Sequence, residues 1–191
     1  MTKISLLKSL EDERANIFEL DAIVKYFSPK KLEKGEYFIK TGQVCRHVAF
    51  IEKGIVLYYK IDDKGQEIIC DFAKENNWVT QYESFINQHI TPISIKAIEP
   101  TQLQIISFEK LQQLYLEVPA FELYTQKVIE KMFISSLSRS NELQVLRAEE
   151  RYAKFAKEHP EIIQRVPQYL IAGYLGIAPQ SLSRIRKNFK G

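Results

Sequence analysis

Between Lys34 and Phe108 the sequence is cut into six short segments rich in β-branched and aromatic residues, and no other feature limits the possible fold as much. They are Tyr37-Phe38-Ile39, Val48-Ala49-Phe50-Ile51, Ile55-Val56-Leu57-Tyr58-Tyr59, Ile68-Ile69-Cys70-Asp71-Phe72, Ile93-Ser94-Ile95-Lys96-Ala97-Ile98 and Leu103-Gln104-Ile105-Ile106-Ser107-Phe108. Lys34-Gly35, Lys53-Gly54 and Asp62-Asp63-Lys64-Gly65 punctuate them with good turn chemistry. Short strands at regular spacing predict a β-sandwich or jelly-roll barrel.

Helical patterns flank this region. Residues from about Ile4 to Tyr26 carry Leu6, Leu7, Leu10, Ile17, Leu20 and Ile23 among their apolar positions. After Pro119 comes the longest periodic stretch, with Phe121, Tyr124, Val128, Met132 and Ser135 three or four residues apart and Ile129, Phe133 and Leu137 widening the stripe. One face of such a helix can pack on the barrel while another meets a second copy of the chain. The pattern extends through Leu143 and Leu146; the charged cluster Arg147-Ala-Glu-Glu-Arg151 then opens a helix that must end before Pro160. The fold class expected is therefore α+β, with residues 1–146 as a barrel domain with its flanking helices and residues 147–191 as a separate small domain.

The end of the chain points to DNA. Pro167 suits a helix start, and apolar Leu170, Ile171, Tyr174 and Leu175 follow at helical spacing. Gly176 supplies a turn before a second short helix opens near Pro179. Two helices joined this tightly read as a helix-turn-helix, with Leu182 and Ile185 facing inward and Gln180, Ser181 and Arg184 left as polar positions. From Gln164 to Gly191 the charged residues are Arg165, Arg184, Arg186, Lys187 and Lys190, all basic. The whole chain carries only +3, which leaves −2 for residues 1–163. A basic tip on a near-neutral body is the electrostatic footprint of a DNA reader.

Other classes are disfavoured on chemistry. No stretch of about eighteen apolar residues exists to span a membrane, and the N-terminus lacks the apolar core of a signal peptide, so a cytoplasmic location is expected. Cys45 and Cys70 lack paired metal-site spacing and read as small buried hydrophobes. His47, His89 and His159 are isolated, and the carboxylates form no acid-base pair, so neither a metal or cofactor site nor an enzyme activity is expected.

The order helix, small barrel, long helix, basic helix-turn-helix resembles the Crp/Fnr family of bacterial transcription regulators. The resemblance is sharpest at Phe50-Ile-Glu-Lys-Gly-Ile-Val-Leu-Tyr-Tyr59, which is similar to the family's Gly-centred hairpin, and at Tyr169 to Lys187. It implies a cyclic-nucleotide-binding-type barrel, a homodimer, and recognition helices that enter successive major grooves of a palindromic site. It also implies double-stranded DNA and RNA polymerase as partners. Laid on the family pattern, Arg184 and Gln180 fall at base-reading positions. Their chemistry agrees, since arginine pairs with guanine O6 and N7 and glutamine with adenine. Gln168, Ser181 and Ser183 join them as short-range polar contacts, and Arg186, Lys187 and Lys190 neutralise phosphates, which sets affinity but not sequence.

The sensor part departs from that pattern. The family's phosphate and ribose cradle corresponds to Trp78–Phe85 and Ile90–Ile93, which places Thr80 at the glycine position, Gln81 at the glutamate position and Thr91 at the arginine position. Without the arginine a cyclic phosphate loses its bidentate partner, so cyclic AMP in the usual mode is disfavoured and the effector stays open. A residual pocket would draw on Thr80, Gln81, Tyr82, Glu83 and Thr91. The reading is thus a DNA-binding regulator with a degenerate sensor domain. The alternatives are a jelly-roll small-molecule-binding protein with a helical protein-interaction tail, and a cupin-like enzyme.

Overall fold

The computed structural model describes Leu6 and residues 20–189, so most of the N-terminal helix expected from the sequence, and Lys190, lie outside the described residues. The chain forms two compact units, Met1–Ile129 and Glu130–Gly191.

Among the described residues the first unit has α1 (Leu20–Val24), followed by β1 (Ser28–Leu32), β2 (Tyr37–Ile39), β3 (His47–Lys53), β4 (Val56–Ile61), β5 (Glu67–Ala73) and β6 (Trp78–Val79). Then come α2 (Tyr82–Asn87), β7 (Ile93–Ala97), β8 (Thr101–Ser107), α3 (Phe108–Glu117) and the start of α4 (Pro119–Val145). The eight described strands make two antiparallel four-stranded sheets, ordered β1-β8-β3-β6 and β2-β7-β4-β5, in a jelly-roll arrangement. All six expected segments are strands whose ends lie within two residues of the sequence reading. Two further strands and α2 gave no signal. Pro29 and paired lysines break any alternation in β1, which is tolerated because β1 is an edge strand. Strand β6 is only two residues long.

Ala49, Phe50 and Ile51 are consecutive and all fully buried, so β3 is covered on both faces. One side joins Val56, Ile95, Ala97 and Leu103 in the core. Aromatic rings extend that core: Trp78 packs edge-on against Phe50 and Phe121 and donates from Nε1 to the Tyr124 hydroxyl at 3.1 Å. Phe121 and Tyr124 therefore anchor the first turns of α4 in the first unit. In the hairpin joining β4 to β5, Asp62 Oδ1 accepts the N–H groups of Lys64 and Gln66, and Gly65 takes φ +77°. Gly54 is more constrained, because a Cβ there would lie 2.5 Å from Thr101 Oγ1 at φ +104°.

The second unit holds the rest of α4, then α5 (Ala148–Glu158), α6 (Pro160–Arg165), α7 (Gln168–Leu175) and α8 (Pro179–Asn188). Glu150 caps α5 by accepting the Arg147 N–H at 2.8 Å, and Pro160 and Pro179 occupy first-turn positions where no N–H is missed. Helix α7 starts one residue later than expected, with Pro167 as its N-cap, and ends at Gly176 in the left-handed conformation (φ +63°). Its core is Tyr152, Phe155, Ile162, Leu170, Ile171, Leu175, Leu182 and Ile185. No helix of the described residues is long and apolar enough to cross a membrane.

Candidate nucleic-acid interface

Helix α8 divides cleanly by period. Leu182 and Ile185 are buried, 1% and 6% exposed. Gln180, Ser183, Arg184 and Lys187 recur three or four residues apart on the opposite face, and all are exposed. None of these four side chains has a hydrogen bond or ion pair among the described residues. Arg186 is exposed on a flank, and Ser181 is half-buried at the edge of the buried stripe. At ten residues α8 is about 15 Å long, and its solvent face is slim enough for a groove about 12 Å wide. Arg186 and Lys187 lie in its last turn, where the helix dipole favours cations. Phe189 fixes the exit from α8 by packing edge-on to Tyr152, with ring centres 5.3 Å apart.

The other expected DNA contacts are distributed differently. Gln168 begins α7, half-buried, with its Oε1 turned inward and no partner for that atom among the described residues. Tyr169 beside it is 64% exposed, and nothing in the sequence marks it apart from the other tyrosines of the chain. Glu149 and Glu150 on α5 line a shallow cavity with Arg184 and Asn188, yet neither pairs with Arg184 among the described residues.

The residues expected to form an effector pocket occupy the segment from β6 to β7. Thr80 Oγ1 donates to the His47 carbonyl at 3.2 Å and lies 3.4 Å from Cys45 Sγ. Gln81 caps α2, its Oε1 accepting the Ser84 N–H at 2.6 Å. Thr91 is 1% exposed; its hydroxyl accepts the Ile93 N–H at 3.0 Å and so closes its own turn. Tyr82 and Glu83 are exposed in the first turn of α2, with Glu83 3.7 Å from His89 Nε2. Ser84 and Tyr58 complete this region; neither stands out in the sequence, Tyr58 because it lies within a β-branched and aromatic run and Ser84 because its partner Cys45 is distant in the chain. Ser84 is fully buried, with Oγ accepting the Cys45 N–H at 2.8 Å and donating to the His89 carbonyl. Burial pushes the Tyr58 hydroxyl well above the usual phenol range, and the nearby Asp71 adds to the shift; the Thr80 backbone supplies its hydrogen-bond partner. Among the described residues no three His, Cys, Asp or Glu side chains are grouped to hold a metal ion.

Known proteins resemble this chain in both units. Residues 29–117 match the family described as Cyclic nucleotide-binding domain. The transcriptional activator protein Anr of Pseudomonas protegens is 26% identical over 198 aligned positions, covering 98% of this chain and 78% of Anr. Among solved structures, a mutant of CooA from Carboxydothermus hydrogenoformans superposes with a TM-score of 0.69 at 22% identity, covering 93% of this chain and 82% of CooA. FixK2 from Bradyrhizobium japonicum does so with a TM-score of 0.72 at 16% identity, covering 85% and 83%. At those identities the two structures bear on the fold.

Proposed function

We propose that the chain is a sequence-specific DNA-binding member of the Crp/Fnr family of transcription regulators, which it resembles in its cyclic-nucleotide-binding-type domain and in its likeness to Anr along nearly the whole chain, and that α7 and α8 form a helix-turn-helix. The observation that carries this reading is the outer face of α8, where Gln180, Ser183, Arg184 and Lys187 stand exposed without intramolecular partners inside a segment whose only charges are positive. Arg184 would take guanine O6 and N7 and Gln180 an adenine edge, each good pair discriminating by about 1–3 kcal/mol. Arg186, Lys187 and Lys190 would meet phosphates, with Ser181 and Ser183 as short donors and Gln168 contributing only if its side chain turns outward. Regulation would reside in residues 1–146 and reading in residues 147–191; the break between α4 and α5 at Leu146 and Arg147 supports that division of roles, whereas the compact units divide earlier, between Ile129 and Glu130.

The same reading includes a homodimer, which the exposed apolar surface of α4 supports. Beyond Val128 this helix exposes Met132 (47%), Phe133 (63%), Ile134 (62%) and Leu137 (51%), an apolar surface that a second copy would cover. Two copies bring two α8 helices to one duplex and require a two-fold site. The barrel would not take cyclic AMP in the usual way. Thr91, at the position of the phosphate-binding arginine, is neutral, buried and bonded within its own turn, and Gln81 is engaged as a helix cap. In vitro selection from a random DNA pool tests the function. Enrichment of a palindromic sequence is expected, and a pool that stays random after repeated rounds would refute it.

A further inference from the structure

Two arginines of the second unit do not face solvent with the others. Arg151, half-buried on α5, donates from Nε to the Leu175 carbonyl at 2.8 Å, from Nη2 to the Gly176 carbonyl at 3.3 Å and from Nη1 to the Leu146 carbonyl at 2.6 Å. One guanidinium thus bridges the C-terminal ends of α4 and α7. Both ends present carbonyls that lack helical partners and carry the negative pole of a helix dipole. Arg139, on α4 itself, lies with its guanidinium carbon 3.9 Å from the centre of the Tyr174 ring and donates from Nη2 to the Tyr174 carbonyl at 3.3 Å. The carbonyls of three consecutive residues, Tyr174, Leu175 and Gly176, are therefore held by side chains from two other helices. Leu143 of α4 runs against the same turn, its Cδ2 3.7 Å from where a Cβ on Gly176 would sit, and Glu142 joins α4 to α5 through Lys154 at 2.6 Å.

We infer that Arg139 and Arg151 are positioning residues that clamp the turn between α7 and α8 to the end of the long helix, and so fix the separation at which two copies read their half-sites. The inference rests on the proposed DNA-reading dimer. It adds that the angle of α8 is set by these two side chains rather than by apolar packing alone, which is non-directional. Lysine cannot replace either one. A single ammonium has no planar fork to span carbonyls on two helices and no flat face to stack on Tyr174.

The test uses the full chain as wild type, Arg139→Lys, Arg151→Lys and the double variant. Each is titrated against the selected operator, against operators with one base pair added or removed between half-sites, and against mixed-sequence DNA. Wild-type protein is expected to prefer the selected spacing by about tenfold or more, because rigid recognition helices must meet successive grooves. The double variant should lose most of that preference, falling to about twofold, while its affinity for mixed-sequence DNA changes by less than about twofold because the phosphate-contacting residues are untouched. Arg139→Lys should fall between the two. Spacing preference kept at the wild-type level in the double variant would overturn the inference. So would an equal loss on every DNA by the single and double variants alike, which is the signature of general destabilisation. Wild-type protein that binds no DNA would instead overturn the reading beneath it.

Discussion

The segment from Thr80 to Thr91 and the helix from Pro179 to Asn188 are of similar length and similarly rich in polar side chains, yet they use them in opposite ways. In the first, Thr80, Gln81, Ser84 and Thr91 bond to nearby backbone, closing a cap, a turn and a strand connection. In the second, Gln180, Ser183, Arg184 and Lys187 have no partner among the described residues. Buried polar groups must be satisfied internally or they destabilise the fold, whereas an exposed helix face carries no such obligation. Residue types alone therefore do not mark a site; what marks it is whether their hydrogen-bonding capacity is still open.

Substitutions in the two units should therefore fail in different measurements. The largest effect is expected at Gly54, where alanine combines a strained positive φ with overlap against Thr101. Gly54→Ala should destabilise the barrel unit by about 3 kcal/mol or more in thermal or urea unfolding. Ser84→Ala strands the buried Cys45 N–H and should lower stability by about 1–3 kcal/mol, with DNA affinity of the remaining folded protein unchanged. If Ser84→Ala proved neutral, the internal engagement of that segment would count for little.

On α8 the pattern reverses. Arg184→Ala should leave the unfolding midpoint in place and remove about 1–3 kcal/mol of discrimination at one base pair of each half-site, read by titration against single-base operator variants. Lys187→Ala should be the mildest, weakening all sequences alike and reducing the slope of log affinity against log salt by about 1. Equal and sequence-independent losses for Arg184→Ala and Lys187→Ala would erase the distinction between base-reading and phosphate-contacting residues.

Much of this was legible from sequence because it depends on local chemistry. Gly54 and Gly65 mark turns, β-branched runs mark strands, and Gly176 followed by Pro179 marks the junction of the last two helices. The exposed face of α8 follows from helical period once Leu182 and Ile185 are assigned inward. What stayed hidden depends on partners distant in the chain. Ser84 meets Cys45 across 39 residues, and Arg151 reaches Leu175 across 24. Nothing in the segment Arg147–Arg151 distinguishes Arg151, which bridges two helix ends, from its exposed neighbours. Strand β1 was illegible for a different reason: its pairing with β8 is made by backbone along a lysine-rich edge, so side-chain pattern carries no trace of it.

If α8 lies in the major groove with Arg184 on a guanine, methylation interference at guanine N7 reports that contact directly. On the selected operator, one methylated guanine in each half-site should block wild-type binding, and Arg184→Ala should be indifferent to the same modification. No interfering guanine in either half-site, or an identical interference pattern for wild type and Arg184→Ala, would contradict that placement.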